Sequence, residues 1–209
     1  MSRNIEPVCR LCRREGVKLF LKGARCQTAK CALTKREAPA GMHPFSRRKP
    51  TEYSHHLREK QKVCRYYGIR SEGLRRLMAE AQRSKDPTGT VLLQMLERRL
   101  DNILCRSGLA KSRAHARQAI GHGHVEVNGR KVFRPGFSVS AGDLIRPRNG
   151  REKSQTIFRL AFEATKGQEH PSWLAVDPEK MEARMLSLPT RQDVPFQVQE
   201  QLIVEFASR

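Results

Sequence analysis

Long hydrophobic runs are missing from this sequence of 209 residues. No segment approaches the roughly 20 apolar residues of a membrane-spanning helix, and residues 1–14 lack the apolar stretch of a signal peptide. Aromatic residues make up only 6% and hydrophobic residues 38%, which predicts a modest core and no large catalytic domain. We therefore expect a cytosolic protein without a membrane partner.

Acidic residues are scarce. The chain has 21 of them against 41 basic residues, a net charge of +20, and such a chain repels itself unless an anionic partner compensates. Residues 1–70 contain 18 basic and 5 acidic side chains, residues 71–175 contain 19 and 10, and residues 176–209 contain 4 and 6. A single charge run usually only solvates a helix face, but the surplus predicts a polyphosphate partner. The acidic tail either meets a basic protein neighbour or is solvated.

Signatures of catalysis are also missing. No glycine-rich nucleotide loop and no activated nucleophile stands out, and Asp101 is expected to pair with a neighbouring arginine. We therefore expect no enzymatic activity and no small-molecule substrate.

Four cysteines lie close together near the start of the chain, in the order Cys9, Cys12, Cys26 and Cys31. In an intracellular protein such a set indicates a metal more often than disulfides. Four thiolates complete a tetrahedron and leave no open position, so we expect structural zinc; an iron–sulfur cluster or reduced thiols are the alternatives. Cys64 and Cys105 stand alone and are expected to be buried as small hydrophobic residues.

A basic linker and several helices follow the cysteines. Pro44 and Pro50 keep the linker out of a helix, which leaves Arg47, Arg48 and Lys49 able to reach a neighbour. The spacing of apolar residues predicts helices over 52–67, with Arg58 and Lys62 on one face, and over 71–85. A third helix, capped by Thr90, is predicted to carry the apolar stripe Leu92, Leu93, Leu96 and Leu100.

Beyond residue 106 the pattern predicts a helix followed by a hairpin. Ser112 is suited to cap a helix over 113–120 that Gly121 ends. Asn128-Gly129 favours a tight turn between a strand at 125–127 and one at 132–133. Further strands are predicted at Val139 and 144–146, a helix at 155–164, and strands at 173–176 and 202–206.

This helix and hairpin form the main candidate for RNA binding. Arg113 and Arg117 share one helix face, which we expect to be turned outward, and replacing both with glutamate should weaken RNA binding without unfolding the protein. The helix N-terminus presents unpaired N–H groups to phosphate. An ordinary solvated helix and hairpin is the alternative. The remaining candidates lie on the flanking turns: Lys111, Ser112, His122, Asn128, Arg130 and Lys131.

Three segments carry a family resemblance. Residues 99–102, 112–118 and 125–130 together resemble the S-four RNA-binding module, which several families share. Segments at 13–16, 19–22, 57–63, 171–174, 180–182 and 202–205 extend the resemblance over nearly the whole chain to the bacterial small ribosomal subunit protein four family.

The resemblance implies a ribosome-bound protein that binds small-subunit ribosomal RNA at a junction of helices early in assembly. It also implies contact with the neighbouring protein S-five, an influence on decoding accuracy and, in some members, repression of the protein's own messenger RNA. The four cysteines match the zinc-bearing branch. A stand-alone RNA-binding regulator or stress factor is the main rival, whereas an S-four enzyme would need a separate catalytic domain.

The expected fold is α+β, with a zinc module and a helical domain into which the S-four module is inserted. The predicted domains are a zinc module with the start of the linker at 1–45, a helical domain at 46–97, the S-four module at 98–165, and a C-terminal segment at 166–209 that packs back on the helical domain.

Overall fold

The computed structural model describes residues 7–41, 49–148, 150, 152–167 and 169–208. They form two compact units, one made of residues up to 89 together with those from 197 onward, and one made of residues 90–196. Residues 166–196 therefore lie with the 98–165 segment, and only residues from 197 onward join the helical segment. None of the described helices has the length and apolar character needed to cross a membrane.

The first unit is helical. Its α-helices are α1 (Cys9–Glu15), α2 (Ala32–Lys35), α3 (Glu52–Tyr66), α4 (Ser71–Ala81), the first residues of α5 (Thr88–Glu97) and α9 (Glu200–Ser208), with a 3-10 turn at Gly23–Cys26. Helix α3 is capped by Thr51, whose hydroxyl accepts from the Ser54 N–H. The predicted helix over 71–85 ends at Ala81, and a turn at residues 82–86 follows it.

The predicted strand at 202–206 is wrong, because these residues lie in α9. A short apolar run fits a buried strand or one face of a helix equally well. Here α9 packs on α3: Ile203 is buried, and the ring Nε2 of His56 lies 2.8 Å from a Glu205 carboxylate oxygen. Gly89 lets α9 come close, since a Cβ there would lie 2.8 Å from Cγ of Glu200.

The second unit is an antiparallel sheet covered by helices. Its helices are α6 (Leu100–Arg106), α7 (Arg113–Gly121) and α8 (Glu152–Ala164), with a 3-10 turn at Arg191–Asp193. The strands β1 (Val125–Val127), β2 (Arg130–Lys131), β3 (Leu144–Pro147), β4 (Leu174–Asp177) and β5 (Glu182–Met185) lie in the order β2-β1-β3-β5-β4. Its core includes Leu100, Ile120, Ile145, Phe158 and Trp173. The α+β prediction is confirmed.

The predicted third helix is wrong at its end, because α5 stops at Glu97 and Leu100 begins α6. Between them Arg99 is extended and forms a bridge with Ser138. The backbone N–H of Leu100 donates to the Phe137 carbonyl at 2.9 Å. These bonds to the 135–139 segment replace the helical ones, and Val139, predicted as a strand, takes part in them without forming one.

The hairpin agrees with its prediction at the turn. Asn128 and Gly129 both have positive φ, 50° and 76°, as a type I′ turn requires. The returning strand is Arg130–Lys131, two residues earlier than predicted. Val132 still donates its N–H to the Val125 carbonyl at 3.2 Å and packs against the core.

Candidate nucleic-acid interface

Asp101 organises the start of α6. Its carboxylate is 1% exposed and accepts two hydrogen bonds from Arg99, at 3.1 and 2.9 Å. A third bond, at 2.8 Å, comes from Nε of Arg117 on α7. The expected pairing of Asp101 with neighbouring arginines is confirmed. The Arg117 side chain is 34% exposed, so the carboxylate fixes one side of a guanidinium that also reaches solvent.

Arg113 does not face outward, which corrects the expectation from the sequence. The residue is 8% exposed, and its Nε donates to Oδ1 of Asn102 at 2.9 Å. Asn102 in turn donates to a Glu97 carboxylate oxygen at 2.7 Å. Arg113 therefore belongs to a buried polar network with Asn102 and Glu97. A buried charge needs hydrogen-bonding partners of this kind.

The N-terminus of α7 is built as predicted. Ser112 is extended, and its hydroxyl accepts from the His115 N–H at 3.3 Å. Lys111, just before the cap, is exposed. Burial, with a smaller contribution from the charge of Lys111, lowers the pKa of His115. The helix therefore begins beside an exposed cation and a histidine that favours its neutral form.

Helix α7 runs one residue further than predicted. It includes Gly121, and the residue that turns the chain is Gly123, at φ 70°. The Gly123 N–H donates to the Ile120 carbonyl and the His124 N–H to the Ala119 carbonyl, which is the Schellman arrangement of a helix C-terminus. His122 lies exposed in this turn, and its ring is parallel to that of His124, 6.1 Å away.

The hairpin residues have different surroundings. Asn128 is bound within the protein, since its Nδ2 donates to Asp143 at 2.7 Å and its Oδ1 accepts from the Leu144 N–H at 2.9 Å. Arg130 and Lys131 are exposed. Lys131 lies opposite Glu126 in the sheet, so part of its charge is balanced by a neighbour.

A row of alternating charges crosses the sheet at this point. Glu126 lies opposite Lys131 on one side and Arg146 on the other. Arg146 Nε lies 3.7 Å from Glu126, and its Nη1 lies 3.8 Å from Glu182. Opposite charges on neighbouring strands stabilise a sheet. They also neutralise each other, so this row attracts RNA less than the unbalanced cations at the hairpin end.

Two exposed residues were not among the candidates from the sequence. Phe133, which the sequence pattern placed in a strand, is 55% exposed. Arg134 beside it is also exposed. The signal was the run Arg130-Lys131-Val132-Phe133-Arg134, in which cations flank an aromatic residue. Such interleaving is common in surfaces that bind single-stranded nucleic acid.

In the first unit, two of the predicted cations, Arg58 and Lys62, pair with carboxylates. Arg58 lies 3.4 Å from Glu15, which also pairs with Arg65, and Lys62 pairs with Glu59. Burial is the main cause that lowers the pKa of Arg58 and raises that of Glu15. Lys49 is exposed. The predicted sites Arg47 and Arg48 lie outside the described residues.

The four clustered cysteines belong to the first unit. Cys12, Cys26 and Cys31 are each 8% exposed, and the Lys22 N–H donates to Sγ of Cys26 at 3.4 Å. Burial raises the pKa of Cys12 and of Cys26, and the neighbouring thiols raise both further. A buried thiol set with N–H donors fits the chemistry of a zinc site. Within the described ranges, however, no three metal-ligating side chains are gathered closely enough to hold an ion.

Two family models match this chain and show the class of protein to which it belongs. The family model of the ribosomal protein S4/S9 N-terminal domain matches residues 3–97, and that of the S4 domain matches residues 98–145. These matches, with the exposed cations around α7 and the hairpin, define an S4-domain ribosomal protein.

Relatives that match over the full length identify the family. The small ribosomal subunit protein uS4A of Symbiobacterium thermophilum is 53% identical over 209 residues, and the uS4 protein of Halothermothrix orenii is 50% identical, each with all of both chains covered. The uS4 protein of Thermus thermophilus is 48% identical, also over all of both chains. The chain belongs to the uS4 family of small ribosomal subunit proteins.

Proposed function

We propose that this protein is a structural, non-catalytic component of the small ribosomal subunit that binds small-subunit ribosomal RNA directly and works in the cytoplasm as part of the ribosome. The observation that carries the proposal is full-length similarity to small ribosomal subunit proteins named uS4. The net charge of +20 supports it, because phosphate neutralisation supplies most of the affinity of such proteins.

The RNA-facing surface consists mainly of cations at the start of α7, on α7 itself, on the hairpin and just after it. Lys111, Arg130 and Arg134 are exposed there, and Arg117 reaches solvent from its anchor on Asp101. Helical and hairpin segments of this kind recognise RNA by shape and backbone contacts more than by sequence.

Sedimentation tests the ribosomal assignment against a stand-alone regulator. A ribosomal protein stays with small subunits through a wash at moderate salt, whereas a regulator is recovered mostly in the soluble pool. Filter binding to small-subunit ribosomal RNA should show a log–log salt slope of roughly −0.7 to −0.9 for each neutralised phosphate. A flat salt dependence would contradict the proposal.

We also propose that the protein joins the subunit early, contributes to decoding accuracy, contacts protein S-five and can bind its own messenger RNA. Family resemblance supports these points, and the tail at 176–209 adds a segment with two more acidic than basic residues. The Asp193 carboxylate of this tail is used internally, since it accepts hydrogen bonds from the N–H and the hydroxyl of Thr190. Exposed Glu179 remains suited to a basic protein neighbour. Crosslinking within assembled subunits, with Glu179→Lys as the variant, tests the S-five contact.

Zinc is the cofactor we propose, held by Cys9, Cys12, Cys26 and Cys31 in a structural site. The support is the thiol donor set and its burial, since a small segment gains folding free energy from a bound ion. Zinc binding would draw the four sulfurs together. Metal analysis of purified protein should find about one zinc per chain, and less than about half an equivalent would contradict the proposal. Cys26→Ser should lose the metal, whereas the matched control Cys64→Ser should retain it.

A further inference from the structure

Phe133 is an exposed aromatic residue in a chain with few aromatics. Phe133 is the residue directly after Val132. Val132 packs against the core, whereas Phe133 is 55% exposed. A hairpin needs no aromatic residue at such a position. The ring is therefore available for contact with a molecule outside the core.

The backbone beneath the ring holds Phe133 in place. A Cβ built on Gly123 would lie 2.6 Å from Cε1 of Phe133 and 3.3 Å from its Cζ, so one edge of the ring rests on the glycine. Any side chain at position 123 would displace it. His122, bonded to Gly123, is exposed and its ring is parallel to that of His124 within 6°. The Phe133 ring therefore packs with one edge against the turn that carries the exposed His122.

The charge around this ring indicates its partner. Arg130, Lys131 and Arg134 are exposed within three residues of Phe133, and Arg148 is tied to the same turn by its backbone bond to the His124 carbonyl. Cations beside an exposed aromatic face complement a nucleotide, whose phosphate is negative and whose base has a π-face. A purely apolar protein partner would leave those cations desolvated without countercharge.

We propose that the ring of Phe133, seated on Gly123 beside His122, is a stacking platform for one unpaired nucleobase of the bound RNA. The inference rests on the proposed function, because it adds a base contact to a surface otherwise argued from phosphate contacts. It assigns a binding role to a residue outside the cationic set.

Three replacements at position 133 test the platform. Phe133→Leu keeps a hydrophobic side chain of similar size but removes the π-face, and should weaken binding to small-subunit ribosomal RNA by about five- to hundredfold. Phe133→Tyr and Phe133→Trp retain an aromatic ring and should bind within about twofold of the unmodified protein. Leu160→Ala is the matched control, because Leu160 is 53% exposed on α8 and should bind RNA normally.

Salt dependence separates stacking from charge. Phe133→Leu should lower affinity at every salt concentration with an unchanged log–log slope, since no phosphate contact is removed. Arg134→Gln should instead make the slope shallower by about 0.7. Chemical probing should show one unpaired base that is protected by the unmodified protein and reactive in the Phe133→Leu complex.

The outcomes distinguish this inference from the proposed function. If the unmodified protein binds ribosomal RNA with a steep salt dependence but Phe133→Leu binds equally well, the platform is refuted and the proposed function stands. If Phe133→Leu is normal for RNA yet its subunits lose a neighbouring protein, the ring serves a protein contact and the platform is likewise refuted. If the unmodified protein fails to bind the RNA, both proposals fail.

Discussion

Single substitutions of Arg113 and of Arg117 should distinguish a residue that stabilises the fold from one that binds RNA. The two arginines are one helical turn apart, and the sequence treats them as equivalent. In the structure Arg113 is buried on Asn102, whereas Arg117 is anchored on Asp101 and is about one third exposed. Arg113→Ala should therefore act mainly on folding, and Arg117→Ala mainly on the RNA.

The magnitudes follow from the partners that remain. Arg113→Ala removes a charge-assisted hydrogen bond from a buried amide and leaves the Glu97 carboxylate, which is 0% exposed, with less compensating charge. We expect a loss of about 3 kcal/mol in the free energy of unfolding. Arg117→Ala leaves Asp101 paired with Arg99, and because solvent screens a partly exposed pair the loss should be about 1 kcal/mol or less.

Trp173 provides the assay for folding. It is the only tryptophan of the chain and is 2% exposed in the core of the second unit, so its fluorescence in a urea titration reports the unfolding of that unit. This matters because a chain with two units need not unfold in one step. Filter binding at several salt concentrations gives the affinity and its slope, which Arg117→Ala should make shallower by about 0.7 to 0.9.

One result would refute this reasoning. If Arg113→Ala unfolds at the same urea concentration as the unmodified protein and loses as much RNA affinity as Arg117→Ala, then Arg113 faces the RNA and not the interior. The double change to glutamate, which the sequence suggests would leave the fold intact, should instead unfold the second unit, because it places a second carboxylate beside Asn102 and Glu97.

Three further outcomes can be measured on the same protein. Ser112→Ala should destabilise the second unit by about 1 kcal/mol through loss of the helix cap, and Ser112→Asp should restore most of it in the same fluorescence titration. Burial raises the pKa of Cys64 to about 11, so alkylation of the folded protein at pH 8 should label Cys64 roughly a hundredfold more slowly than an ordinary thiol, and equal rates would contradict its burial. The pKa of His115 is lowered by burial, so its contribution to stability is present above its unfolded pKa and lost as the pH falls through the folded one; His115→Gln should reduce the loss of stability between about pH 7 and pH 5, and an unchanged pH profile would argue against it.

Local signals predicted the hairpin and the helix cap. Asn128-Gly129 needs positive φ at both positions, and Ser112 supplies an acceptor for the first turn, so both features depend only on residues close in sequence. Helix α9 was mistaken for a strand because its short apolar run carries no periodicity that decides between the two. Its helical form depends on packing against α3, far earlier in the chain.

The direction of Arg113 could not be predicted for a related reason. Helical spacing places Arg113 and Arg117 on one face, but it does not say which part of that face is inward. The inward direction of Arg113 depends on Asn102, eleven positions earlier, which accepts a hydrogen bond from Arg113 and donates one to Glu97. Nothing in the local pattern around Asn102 indicates an arginine partner, and only the packing of α6 on α7 gives it one.

The buried carboxylates change how the net charge should be understood. The side chains of Glu15, Glu97 and Asp101 are no more than 1% exposed, and each lies within ion-pair distance of arginine. Acidic groups placed inside in this way orient cations at their edges while presenting little negative charge to an approaching phosphate. The charge presented to RNA therefore depends on where the acidic side chains lie, and not only on the net charge of +20. Adding a carboxylate to the hairpin surface, as Lys131→Glu would, should weaken RNA binding more than only removing the cation, as Lys131→Gln would, because it adds repulsion to the lost attraction.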